Sequence, residues 1–188
     1  MTFNPEIHHR QSIRLRNHDY SQAGAYFVTI CVWQRECLFG EIIDGVMRLS
    51  ETGRNVHAVW EDLPNHYNQI ELDAFIVMPN HIHGVIIIVG AGFKPAQGLQ
   101  SAQLNHVSAE KRQALPEIIR GFKTFSSRRI NEMRKTPGCP VWQRNYFERV
   151  IRGEREFAFV REYIVNNPLK WDSDHENPGL IQKPFGHV

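Results

Sequence analysis

The chain has 188 residues, 41% of them hydrophobic, a formal net charge of +2 and three cysteines. That length supports one domain with a sizeable core rather than two, and no run approaches the ~20 apolar residues that span a bilayer. Residues 1–16 lack the apolar centre of a signal peptide, and Cys31, Cys37 and Cys139 have no C-x-x-C spacing, so the expectation is a soluble, cytoplasmic protein with reduced thiols and neither a disulfide framework nor a zinc ribbon.

Residues 1–20 mix Arg10, Arg14 and Arg16 with histidines and no periodicity, and read as an N-terminal arm. Residues 26–33 (Tyr-Phe-Val-Thr-Ile-Cys-Val-Trp) are dense in β-formers, and residues 38–43 and 46–49, joined by Asp44-Gly45, read as a hairpin. Ser50 can cap a helix running to about Leu63, with Val56, Val59 and Trp60 at helical spacing and Pro64 as its stop. Residues 70–78 and 82–89 are two apolar strands split by Pro79-Asn80, and residues 90–109, rich in Gly, Ala, Gln and Ser, read as a long loop. Pro116 suits the first turn of a helix to about Lys135, with Ile118, Phe122, Phe125 and Met133 as its core stripe. Residues 142–151 read as a short strand, Gly153-Glu154 introduces a last helix that ends at Pro168, and residues 171–188 read as a C-terminal tail. The order β, β, β, α, β, β, α, β, α predicts an α+β fold over residues 21–170, a ferredoxin-like antiparallel sheet with helices packed on it.

Charge is segregated along the chain. Residues 111–135 carry eight Lys or Arg against Glu117 and Glu132, whereas residues 50–73 carry Arg54 against five acids. A basic block of this kind marks a phosphate-binding surface or, as commonly, a solvated helix face.

The chemistry centres on Pro79-Asn80-His81-Ile82-His83-Gly84. In a strand, side chains i and i+2 leave one face, so His81 and His83 point together at roughly 6 to 7 Å spacing and can grip one divalent cation. The alternative is a pair of hydrogen-bonded structural histidines. On the last helix Tyr163 and Asn167 are four residues apart and share a face, with Phe157, Val160 and Ile164 on the neighbouring core stripe. An amide oxygen from Asn167 could complete a His-His-Asn metal set with a phenol one turn away; against this, such a tyrosine commonly just packs its ring, and Asn-Pro is an ordinary helix stop.

Four segments, 26–30 (Tyr-Phe-Val-Thr-Ile), 78–84 (Met-Pro-Asn-His-Ile-His-Gly), 142–152 with Trp142-Gln143-Arg144 and Val150-Ile151-Arg152, and 163–168 with Tyr163-Ile164 and Asn167-Pro168, together resemble the REP-associated tyrosine transposases. These are a branch of the single-tyrosine HUH transposases, HUH standing for His-hydrophobic-His. The resemblance implies that His81, His83 and Asn167 bind a divalent metal, Mg or Mn, and that Tyr163 attacks a phosphodiester of single-stranded DNA to leave a 5′-phosphotyrosine and a free 3′-hydroxyl. Imidazole donors by themselves favour Zn or Ni, and a neutral His-His-Asn set predicts weak, exchangeable metal.

The substrate so implied is single-stranded or hairpin DNA, with no membrane and a monomer or homodimer. Arg14 and Arg16 of the arm, Arg120, Lys123, Arg128 and Arg129 of the basic helix, and Arg144 are the candidate DNA contacts. Trp142 is expected in the core. The rival reading is a non-catalytic nucleic-acid-binding module of similar fold, and a third is a metal-dependent hydrolase with water as nucleophile.

Overall fold

The computed structural model describes residues 22–89 and 113–181. The arm with Arg14 and Arg16 and the loop 90–109 lie outside the described residues. Four strands form one antiparallel sheet in the order β4-β5-β1-β6: β1 (Gly24–Cys31), β4 (Ile70–Val77), β5 (His81–Ile88) and β6 (Phe147–Ile151). β1 lies between β5 and β6, pairing along its length with β5 from Gly24↔Ile88 to Cys31↔His81.

The predicted hairpin forms as β2 (Gly40–Ile43) and β3 (Val46–Leu49), a separate two-stranded sheet. Its turn residues Asp44 and Gly45 both take positive φ, at 51° and 73°. That is the twist a two-residue hairpin turn needs, and Asp-Gly supplies it at low steric cost. Ser50 caps α1 (Glu51–Glu61) by accepting a hydrogen bond from the Gly53 amide at 3.1 Å. A single further turn, α2 (Leu63–His66), carries Pro64 in its first turn.

Both faces of the sheet are covered. Tyr26, Val28, Ile30, Ile82, Ile86 and Ile88 join a core closed by Val56, Val59 and Trp60 of α1 and by Leu115, Ile118, Ile119, Phe122 and Ile130 of α3 (Leu115–Arg134). On the opposite face Ala25, Phe27, Val85, Ile87 and Ile151 pack under Val160 and Ile164 of α4 (Glu154–Asn166). This is why β5 runs apolar from Gly84 to Ile88 after its two histidines: every residue of the strand is buried. Gly84 allows the close fit on the first face, because a Cβ there would collide with the Trp60 ring.

The core stripe of α3 departs from the expected one. Phe122 is fully buried, but Phe125 is 50% exposed and Met133 36%. Phe125 sits at the edge of the stripe and lies against the His66 ring instead, with centroids 5.7 Å apart. Met133 falls nearly a turn beyond Ile130, the last buried residue of the helix. The inward position between Phe122 and Ile130 belongs to Ser126, whose hydroxyl donates to the Phe122 carbonyl (2.6 Å) and accepts from the indole Nε1 of buried Trp142 (2.9 Å).

After α4 the chain does not trail away. A 3₁₀ segment (Asn167–Ser173) and a one-turn helix, α5 (Pro178–Ile181), carry it past the start of β5. The carbonyl of Glu176 is held there by the Asn80 amide at 2.7 Å, and Arg35 forms an ion pair with the Glu176 carboxylate at 2.9 Å. No helix of the described residues is long and apolar enough to cross a membrane.

Candidate active site

The two histidines stand on the α4 face of the sheet, paired across β1 with Cys31 and Thr29 respectively. Both are buried, and their Nε2 atoms face one another at 3.0 Å. The outer nitrogens are held: His81 Nδ1 lies 2.8 Å from Asn80 Oδ1, and His83 Nδ1 lies 2.8 Å from Thr29 Oγ1. Two inward Nε2 atoms with supported Nδ1 atoms are the arrangement of a metal-ligating imidazole pair.

A carboxylate completes the group. Asp174 Oδ2 lies 3.9 Å from His81 Nε2, and ligand atoms of His81, His83 and Asp174 all fall within 4.8 Å of one another. The other oxygen of Asp174 accepts from the Glu176 amide at 2.8 Å, which fixes the carboxylate's orientation. Two imidazole nitrogens and one carboxylate oxygen are a donor set suited to a divalent cation. With Asp174 this group carries a formal negative charge, which the His-His-Asn set read from the sequence does not.

Burial pushes the His81 imidazolium down to about 4, against the partial opposition of Asp174. Burial and then the charge of His81 hold His83 well below its usual range. Both rings are therefore neutral at pH 7, the form that binds metal.

Tyr163 and Asn167 come to the same place from α4 and its end. The Tyr163 hydroxyl lies 3.4 Å from His83 Nε2, and its half-buried ring packs edge-on against His83 and Phe27. Burial raises the phenol above its usual range, the carboxylate of Asp174 adds to this, and a hydrogen bond with Asn167 opposes it. Asn167 is buried, and its Oδ1 has no hydrogen-bond partner. A buried amide oxygen without a partner costs about 1–3 kcal/mol, and a cation would relieve it.

The basic residues divide. Arg120, Arg128, Arg129 and Arg144 are exposed, but α3, which carries the first three, covers the face of the sheet opposite the histidines. Lys123 turns inward, donating to the carbonyls of Gln143 (2.9 Å), Arg144 (3.4 Å) and Asn145 (3.0 Å), and burial brings its pKa down to about 8. It is a tie between α3 and the segment before β6 rather than a free cation for phosphate.

No family model matches the chain. An uncharacterized protein of Haemophilus influenzae is 41% identical over 179 residues, which cover 92% of this chain and 95% of that protein. The two belong to one family. A proposed REP-associated tyrosine transposase of the same organism is 22% identical over 152 residues, 81% of this chain and 74% of that one. Among solved structures, a REP-associated tyrosine transposase bound to a REP hairpin superposes with a TM-score of 0.56 at 16% identity, over 84% of this chain and 73% of that one. The chain has the REP-associated tyrosine transposase fold.

Within that fold, three contributors escape a sequence reading. Asp174 lies in the stretch read as a tail, where Asp172, Asp174, His175 and Glu176 form a cluster of potential ligands that was a visible sign. Asn80 reads as a turn residue, and Thr29 as one β-former among several. Only strand register reveals that Thr29 faces His83.

Proposed function

We propose that the chain is a metal-dependent transposase of the HUH tyrosine class, which cleaves and rejoins single-stranded DNA at hairpins. The observation that carries this reading is the meeting of the Tyr163 hydroxyl with His83 Nε2 at 3.4 Å, beside the His81–His83–Asp174 group. His81, His83 and Asp174, with the partnerless Oδ1 of Asn167, would hold the cation, and the added carboxylate makes the donor set more favourable to Mg or Mn than two imidazoles alone. A divalent cation bound there supplies Lewis-acid polarisation of the scissile phosphate.

Tyr163 is the nucleophile. Its Oη forms a bond to phosphorus as the P–O3′ bond breaks; the phenolic proton passes to water, and the departing 3′-oxygen takes one up. One phosphodiester replaces another, so the reverse attack by a 3′-hydroxyl reseals the strand without ATP. Because the phenol is held above its ordinary pKa, the rate should rise with pH through the neutral range. Exposed Arg120, Arg128, Arg129 and Arg144 would take phosphates of the flanking DNA, and a metal-free, cleavage-dead binder is the competing account.

The test is a labelled single-stranded hairpin from the flanks of the gene, incubated with Mg²⁺, Mn²⁺ or chelator and with wild type or Tyr163→Phe. A denaturation-resistant protein–DNA adduct that needs metal and vanishes in Tyr163→Phe is expected. Cleavage that survives in Tyr163→Phe would make water the nucleophile, and binding without an adduct under any metal would favour the binder.

A further inference from the structure

We infer that Asn80 is the positioning residue that sets which nitrogen of His81 is offered to the cation and, with the same amide, delivers Asp174 to it; the metal part of this inference rests on the reading of His81, His83 and Asp174 as ligands. Asn80 is fully buried. Its Nδ2 donates to two backbone carbonyls, that of Arg35 at 3.1 Å and that of Glu176 at 2.7 Å. An amide nitrogen has two protons, so both are engaged and the O/N assignment of the side chain is fixed by its partners. Oδ1 is then the atom facing His81 Nδ1 at 2.8 Å, and an amide oxygen can only accept. His81 must therefore carry its proton on Nδ1, which leaves a lone pair on Nε2. That is the nitrogen facing His83 Nε2 at 3.0 Å and Asp174 Oδ2 at 3.9 Å.

The second half of the role lies in the backbone. The carbonyl that Asn80 holds belongs to Glu176, two residues past Asp174, and the Glu176 amide holds Asp174 Oδ1 at 2.8 Å. Asn177 closes the turn through its amide on the Asp174 carbonyl at 2.9 Å. Arg35 reinforces the same segment through the Glu176 carboxylate and, at 3.3 Å, the His175 carbonyl. One buried side chain thus joins the segment after β1, the entry to β5 and the segment that supplies the carboxylate. Only an amide performs both tasks, since a carboxylate cannot donate to the carbonyls and an aliphatic side chain can do neither.

Asn80→Asp separates the two tasks because it keeps an acceptor for His81 and loses both donors. In the metal-free wild type at pH 7.5, ¹⁵N shifts of His81 should report a protonated Nδ1; a protonated Nε2 would overturn the inference without any variant. In Asn80→Asp that tautomer should persist, while the amides of Glu176 and Asn177 exchange with solvent at least tenfold faster. Co²⁺ affinity, read from visible absorption, should fall about tenfold, to the level of Asp174→Asn. Asn80→Leu should lose the tautomer preference as well and bind Co²⁺ more weakly still. Unchanged protection of Glu176 and Asn177 in Asn80→Asp, at matched melting temperature, would refute the delivery of Asp174. A wild type that binds neither Co²⁺ nor Mn²⁺ would sink the metal centre of the proposed function, while the tautomer and exchange measurements would still decide the role of Asn80.

Discussion

Acidification from pH 7 to pH 5 should cost the metal-free chain about 2 kcal/mol of stability through His81 alone. Burial holds the folded imidazolium at about 4, against an ordinary 6.5. The unfolded chain therefore takes up a proton that the native site refuses. The sign follows: this stability is complete above pH 6.5, declines as the pH falls, and levels off once the pH is below about 4. Linkage with those two values gives almost no loss at pH 7, about 2 kcal/mol at pH 5 and a limit of about 3 kcal/mol. His83, lowered in the same direction, adds to it. Urea unfolding in the presence of chelator reads the effect: with a slope of about 2 kcal/mol per molar urea, the midpoint should drop by about 1 M across this interval. Carboxylates elsewhere contribute at acid pH, so the decisive quantity is the difference between wild type and His81→Gln, which keeps a polar group but cannot titrate. That difference should shrink by about 2 kcal/mol from pH 7 to pH 5. A difference that stays constant would refute the reasoning, and would mean that the native site accepts the imidazolium, with Asp174 as its counter-ion.

Lys123→Met should lower stability by about 2–3 kcal/mol, because three carbonyls lose their donor, with no change in the salt dependence of DNA binding; Arg128→Gln and Arg129→Gln should do the reverse, each reducing the salt slope by about 1. Denaturant melts and filter binding at several salt concentrations separate the two behaviours. Gly84→Val should destabilise by at least 1–3 kcal/mol, since any Cβ meets the Trp60 ring on a packed face; a melting temperature within a degree of wild type would contradict this. Arg161 grips Asp73 of β4 through two bonds of 2.6 Å and lies over the Phe157 ring, so Arg161→Ala should loosen α4 by about 1 kcal/mol and raise hydrogen exchange around Tyr163. Adding Mn²⁺ at a hundred times its dissociation constant should stabilise the wild type by about 2.7 kcal/mol, and Asp174→Asn should need roughly tenfold more metal for the same rise in melting temperature.

Most of the secondary structure was legible because its determinants are local. Asp44-Gly45 can adopt paired positive φ wherever it occurs, Ser50 caps a helix with its own hydroxyl, and alternation in β1 assigns its residues to two faces. The same period placed His81 and His83 on one face. The stripe of α3 was legible only in part, because periodicity gives the direction of a helix face but not its width or how far the core beneath it extends. Phe125 at the edge and Met133 beyond the end were therefore misread as buried.

By itself the sequence determined the α+β order of elements, the common face of the two histidines, and the one-turn spacing of Tyr163 and Asn167, all consequences of repeat geometry over a few residues. Tertiary structure decided that α4 crosses the histidine face, so that Tyr163 meets His83, and that the basic helix lies on the other face. It also decided that Lys123 is a structural tie and that Asp174, 93 positions after His81, supplies a carboxylate beside them. Contacts so distant in sequence leave no period to read: they arise where β1 and β5 align in register, and where the buried Asn80 amide finds carbonyls from two separate parts of the chain.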